Sequence, residues 1–139
     1  MKFCTKMTIL IDASVFCAYA NSNDVHHKNA KIIIQEIITE KYGSGITTDY
    51  IFDETVTVAN RRANKETAIR VGKYLLNSEI LIAKIDHFIF EKAWELFQNT
   101  KELSFTDCTN IAFMQIFGIK KIATFDKGFD NLKNVEVVD

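Results

Sequence analysis

A chain of 139 residues that is 47% hydrophobic and carries 11 Phe can bury roughly two-thirds of its unfolded surface in one core, so it needs no staples and is read as one domain over residues 1–139. Its three cysteines (Cys4, Cys17 and Cys108) are odd in number and lack any C-x-x-C spacing, which excludes a disulfide scaffold and points to reduced thiols in the cytoplasm. A net charge of −1 excludes a protein that coats nucleic acid by bulk charge, but not a nuclease whose acidic site is offset by metal.

The opening MKFCTKMTILID runs into a strand without a cleavage signal, so a secreted form is not expected. No stretch approaches the ~20 apolar residues of a membrane span. Thr8 to Ile11 is a compact apolar run, the pattern of a strand buried on both faces of a parallel sheet, and Asp12 closes it. Ala13 and Ser14 make the turn, and a helix over 15–20 gives out at Asn21-Ser22-Asn23. Asn23 or Asp24 is the expected cap of a second helix, whose apolar stripe is Ala30, Ile33, Ile34, Ile37 and Ile38. His26 and His27 fall in its first turn and read as surface or capping groups rather than ligands.

Gly43-Ser44-Gly45 ends that helix; residues 46–48 are a short strand, and one of its threonines caps the next helix, 49–62. Here the adjacent acids separate. At about 100° per residue, Glu54 falls between Tyr50 and Val58 at the border of the apolar arc, whereas Asp53 falls with Thr57 and Asn60 on the solvent side. A further amphipathic helix, 65–77, is expected to turn Ala68, Ile69, Leu75 and Leu76 inward. Residues 80–85 form the third strand, and Asp86 caps a helix to about residue 99 with Ile89, Ala93, Leu96 and Phe97 inside and Trp94 at the edge.

Ser104 and Asp107 have capping-box spacing, which puts Asp107 in the first turn of a helix, at the positive end of its dipole. That helix is apolar nearly all round and hence buried, with Cys108 a small core residue; Gly118 supplies its left-handed stop. A strand over 121–125 follows, with Asp126 at its end, and 135–138 is a last edge strand. The alternation of strands and helix pairs predicts a parallel sheet with helices on both faces. In such folds ligands bind at the carboxyl ends of the strands, where Asp12 and Asp126 stand.

Asp12, Glu54, Asp107 and Asp126 are thus singled out by position. Singly, each has a plainer explanation: a loop acid after a strand, the partner of Ser104, or a glutamate paired with Arg61 or Arg62. Brought together, they repel, and either one keeps a proton or a cation neutralises them. Hard divalent ions with oxygen ligands are the usual solution, and such a site can hydrolyse a phosphodiester. Arg61, Arg62, Lys65, Arg70 and Lys73 make a basic patch across two helices, a candidate RNA contact or simply a solvated face.

The segments ILIDAS, DVHHKNA, TTDYIFDET and LSFTDCTNIAFMQIFGIKKIATFDKGF resemble the PIN-domain family, especially its VapC-like toxins, in order and spacing over residues 8–138. The resemblance implies a three-layer α/β/α fold with a five-stranded parallel sheet in order 3-2-1-4-5. It also implies a ribonuclease dependent on one or two Mg²⁺ or Mn²⁺ ions, held and used by Asp12, Glu54, Asp107 and Asp126. Ser14 and Thr124 match the family's hydroxyls near its first and last acids, and Asp130 matches a more variable, helping acid. As partners it implies RNA, a small antitoxin protein and a second copy of the chain. The last agrees with helices over 49–77 that carry more apolar surface than two helices over one sheet need.

Other readings fit less well. A non-catalytic RNA- or protein-binding PIN module would be expected to have lost an acid, and none is replaced; a housekeeping RNA-processing nuclease would keep them all. A haloacid-dehalogenase phosphatase wants a second Asp where Ser14 stands, and a response-regulator receiver wants paired acids where the first strand offers only Asp12.

Overall fold

The computed structural model describes residues 7–139; Cys4 lies outside them. The chain forms β1 (Thr8–Ile11), α1 (Ala13–Ala20), α2 (His27–Ile38), β2 (Ser44–Thr48), α3 (Asp49–Arg62), α4 (Lys65–Asn77), β3 (Leu81–Ala83), α5 (His87–Gln98), α6 (Phe105–Phe117), β4 (Lys121–Ala123) and β5 (Glu136–Val138). The five strands are parallel, in the order β3-β2-β1-β4-β5. Each parallel pair needs a crossover; helix pairs supply those from β1 to β2, β2 to β3 and β3 to β4, layering both faces of the sheet as the alternation predicts, while β4 reaches β5 through the 3-10 turn Lys127–Phe129. β1 is the centre because it is apolar without interruption: Ile9, Leu10 and Ile11 are fully buried between β2 and β4. Among the described residues no helix is long and apolar enough to cross a membrane.

Local chemistry sets most of the boundaries. Thr48 caps α3 by accepting the Ile51 N–H, Asp86 caps α5 through Ile89 N–H, and Ser104 with Asp107 forms the reciprocal box at the start of α6. Gly118 ends α6 with φ 68, the left-handed conformation that glycine adopts without penalty. Gly43 has φ 83, and a Cβ there would run into the Met7 carbonyl, so only glycine lets β2 begin beside β1.

Several expectations need correcting. Neither Asn23 nor Asp24 caps α2, which starts at His27 after a turn in which Asp24 Oδ1 accepts the His26 N–H. α2 also ends at Ile38, before Gly43, and β3 and β4 are shorter than expected. Ile38, Ile69 and Leu76 are not core residues but are 51%, 50% and 66% exposed. In α4 the buried stripe is Ala68, Val71 and Leu75. Ile69 and Leu76, seven residues apart, form a second stripe on the outer side, where they border a groove with Phe52 and Val56 of α3. α5 likewise keeps Ile89 and Ala93 inside while Phe88, Phe90, Trp94 and Phe97 remain exposed.

Candidate active site

At the carboxyl ends of β1 and β4 the chain encloses a cavity of about 360 Å³ lined by Asp12, Glu54, Asp107 and Asp126 together with Ser14, Cys17, Asp24, His26, Val58, Arg62 and Phe125. Each of the four acids arrives on a different element. Asp12 follows β1 and is almost fully buried, its own N–H tied to Ala123 O across to β4. Its Oδ2 accepts Thr124 Oγ1–H at 2.7 Å and Ser14 Oγ–H at 3.2 Å, and its Oδ1 faces Asn110 Nδ2 at 3.4 Å. The two hydroxyls in turn accept backbone N–H groups, Ser14 Oγ from Phe125 and Thr124 Oγ1 from Asp126, each at 3.0 Å. This network joins the end of β1 to the end of β4 and fixes both strand-end acids in one frame.

Asp107 is held by the capping box: Ser104 N–H donates to its Oδ2 at 3.1 Å, and its own N–H donates to Ser104 Oγ. Asp126 stands at the exposed rim, one oxygen taking the Gly128 N–H. Glu54 reaches in from α3, and among the described residues its carboxylate has no hydrogen-bond or ion-pair partner. Asp53, the adjacent residue, is exposed and absent from the lining.

Electrostatics follow from this crowding. Burial pushes the Glu54 carboxyl up to about 7, with repulsion from Asp12, Asp107 and Asp126 adding to it. Burial also raises Asp107 to about 6 against the hydrogen bonds from Ser104, with the charges of Asp12 and Asp126 contributing. Asp12 is raised by burial despite the hydrogen bonds from Thr124, Ala13 and Ser14. Burial, reinforced by Glu54, lifts the Cys17 thiol to about 12, so it stays protonated and is not a thiolate ligand or nucleophile. None of the four acids forms an ion pair among the described residues, and Arg62 is the one Lys or Arg in the cavity lining.

The raised values have a consequence for stability. In the unfolded chain Glu54 and Asp107 titrate near 4.5 and 3.8, in the folded chain near 7 and 6. Between those limits the folded state binds more protons, so this part of stability is complete below about pH 4 and is lost as pH rises through 6 and 7. The metal-free protein in chelator is therefore expected to melt lower at pH 8 than at pH 5.5. A Tm that is flat or rises over that interval would show that burial and repulsion do not hold these two carboxyls above their ordinary range.

The four acids offer only oxygen donors and, among the described residues, form no ion pair with a cationic side chain. Beside them Asn110, whose Nδ2 faces Asp12, keeps a buried Oδ1 without a hydrogen-bond partner among the described residues. No three His, Cys, Asp or Glu side chains among the described residues are closed up as a ready-made metal cage; the four acids ring the cavity instead. That arrangement fits a hard ion that keeps several waters and uses few carboxylates, as Mg²⁺ does, and is unlike a zinc site.

The other sequence candidates separate. Ser14 and Thr124 organise Asp12 as described, whereas Asp130 follows the 3-10 turn Lys127–Phe129, exposed and outside the cavity lining. The basic residues border different hollows: Arg62 joins the acid cavity, and Lys65 and Lys73 border the α3–α4 groove. Arg70 donates to Ala20 O in a separate hollow with His27 and Lys31, and Arg61 lines none of these. Two residues were missed in the sequence. Asn110 is fully buried one turn after Asp107, and its signal was a polar side chain inside an otherwise apolar helix. His26, read as a surface group, is exposed but belongs to the cavity lining.

The family model of the PIN domain matches residues 9–135. The chain belongs to the PIN-domain family. Among PIN relatives it is similar to the 23S rRNA-specific endonuclease VapC20 of Mycobacterium tuberculosis, at 29% identity over 131 residues covering 93% of this chain and 97% of the relative. It is also similar to the VapC ribonuclease of Archaeoglobus fulgidus, at 28% identity over 127 residues covering 88% and 80%. The crystal structure of M. tuberculosis VapC20, described as a sarcin–ricin loop cleaving toxin, superposes with a TM-score of 0.80 at 27% identity over 88% of this chain and 92% of that one. VapBC2 from Rickettsia felis, bound to a DNA fragment from its promoter, shares the fold alone at 14% identity (TM-score 0.67, covering 95% and 98%).

Proposed function

We propose that this chain, a single PIN domain over residues 1–139, is a Mg²⁺- or Mn²⁺-dependent ribonuclease that hydrolyses RNA phosphodiester bonds in the cytoplasm. It is the toxin of a type II toxin–antitoxin pair. The observation that carries this reading is the convergence of Asp12, Glu54, Asp107 and Asp126 on one open cavity, none of them in an ion pair among the described residues. The relatives named as an rRNA endonuclease, a ribonuclease and a toxin support RNA as substrate and a small antitoxin protein as partner.

In this mechanism Asp12, Glu54, Asp107 and Asp126 hold one or two ions, which supply charge neutralisation and water activation at the phosphodiester. Asp12 is the fixed point: Thr124, Ser14 and Asn110 orient its carboxylate, so it loses little freedom on binding. Glu54 and Asp107 hold protons to near neutrality when no cation is present and release them to bind one. Asp126, at the rim, and Arg62 face the incoming RNA, the latter offering a cation to a backbone phosphate.

The direct test is incubation of the purified protein with single-stranded RNA and Mn²⁺ or Mg²⁺. Discrete cleavage products, absent from an Asp12→Asn preparation, are expected; intact RNA with both metals would overturn the reading.

The chain also pairs with a second copy. Phe52, Val56, Ile69 and Leu76 border a groove on the outer side of α3 and α4, and covering such a patch is the ordinary reason for leaving it apolar. Sedimentation is expected to find a dimer at tens of micromolar, reduced to monomer by Ile69→Glu with Leu76→Glu. Monomer alone, both free and with the antitoxin, would refute this.

A further inference from the structure

The α1–α2 loop brings an aromatic side chain to the acid cavity in a way the proposed chemistry does not use. The His26 ring lies parallel to that of Phe125, with centroids 4.3 Å apart and planes inclined by 9°. Both residues line the cavity with the four acids. His26 is exposed, and among the described residues its ring has no hydrogen-bond or ion-pair partner. One face is therefore backed by Phe125 and the side chain is otherwise open to solvent.

Both halves of the stack are anchored. Asp24 Oδ1 accepts the His26 N–H at 2.8 Å, Asp24 O accepts the His27 N–H at 3.0 Å, and the His27 ring bonds Ala18 O at 2.7 Å. On the other side, Phe125 N–H donates to Ser14 Oγ, the hydroxyl that also binds Asp12. Phe125 is thus held in register with Asp12 through Ser14, and His26 is held against it by the Asp24 turn. A flat, preorganised π-face beside a phosphodiester site is what an unstacked nucleobase requires, and such stacking tolerates any base.

We infer that His26, backed by Phe125, is a positioning residue: its outer face stacks a nucleobase next to the scissile phosphate of single-stranded RNA. The inference rests on the ribonuclease reading and adds a substrate contact to it. His26 acts by stacking, so an aromatic ring without titratable nitrogens serves in its place. Because the contact is made to bound substrate as well as to the transition state, its loss appears in KM more than in kcat.

The test measures steady-state cleavage of a short single-stranded RNA in Mn²⁺ by the full chain and by His26→Ala, His26→Phe and His26→Trp. A 2-aminopurine base beside the cleaved bond reports stacking by quenching. His26→Ala is expected to raise KM about tenfold with kcat changed less than about threefold and to lose the quenching, while Phe and Trp restore both. Unchanged KM and quenching in His26→Ala would overturn the inference and leave the ribonuclease intact. So would Phe and Trp variants as impaired as Ala, or a loss confined to kcat, since these assign the role to the imidazole. Failure of the unaltered protein to cut RNA would overturn the ribonuclease reading and this inference together.

Discussion

Excess EDTA is expected to abolish RNA cleavage by this protein, and Mg²⁺ or Mn²⁺ added back in excess to restore it. The physical ground is that Asp12, Glu54, Asp107 and Asp126 share one cavity in which, among the described residues, Arg62 is the one Lys or Arg. Three of them are raised by burial and by one another. Without a divalent ion the crowded carboxylates are uncompensated and repel an incoming phosphodiester, and the thiol of Cys17 is too basic to substitute as nucleophile. Metal must also compete with protons for these carboxylates, so Mn²⁺ is expected to raise the Tm more at pH 8 than at pH 5.5. Cleavage that persists undiminished in EDTA, with an Asp12→Asn protein purified in parallel to exclude contaminating nuclease, would refute the metal mechanism.

How much of this was legible in the sequence depends on what each residue's signal consists of. The succession of elements and most caps were readable because their causes are local: an uninterrupted apolar run at β1, a Ser104–Asp107 spacing, a glycine at 118. The strand order came only with the family resemblance, since pairing between distant strands leaves no local signal. The phase of α3 was readable for the same local reason as the caps, since Tyr50, Thr57, Val58 and Asn60 on the same helix settle which way Glu54 and Asp53 point. Ile69 and Leu76 were misjudged because hydrophobicity says only that a side chain prefers to be covered, not by what; on α4 the sheet side was already filled by Ala68, Val71 and Leu75. Which hollow each basic residue borders was not legible, because charges on two adjacent helices give no sign of how packing places Arg62 at the acid cavity, Lys65 and Lys73 at the α3–α4 groove and Arg70 in a hollow of its own. His26 was illegible for a further reason. Its role is defined by Phe125, a residue from the other end of the chain, and no spacing rule connects the two.

The sharpest separation is expected between Glu54→Gln and Asp53→Asn, neighbouring substitutions of the same chemical kind. Glu54 opens into the acid cavity and Asp53 into solvent. Glu54→Gln keeps size and helix propensity but removes a charge that the proposed mechanism uses to hold the ion, so turnover should fall tens- to hundredfold, the range typical of disturbed metal sites. Its fold should not suffer. Burial and three neighbouring acids already work against the Glu54 charge, so removing it relieves repulsion, and the metal-free variant should melt at least as high as the unaltered protein at pH 8. Asp53 is the last and least of the charges that raise Glu54; Asp53→Asn should therefore leave turnover intact and change stability by no more than about 0.5 kcal/mol. Melting with and without Mn²⁺ provides the second readout, because a ligand stabilises only a native state that binds it. The metal-induced rise in Tm should survive in Asp53→Asn and shrink in Glu54→Gln. If Asp53→Asn lost activity while Glu54→Gln still cut RNA, the catalytic role of Glu54 would be wrong even though its position in the cavity stands.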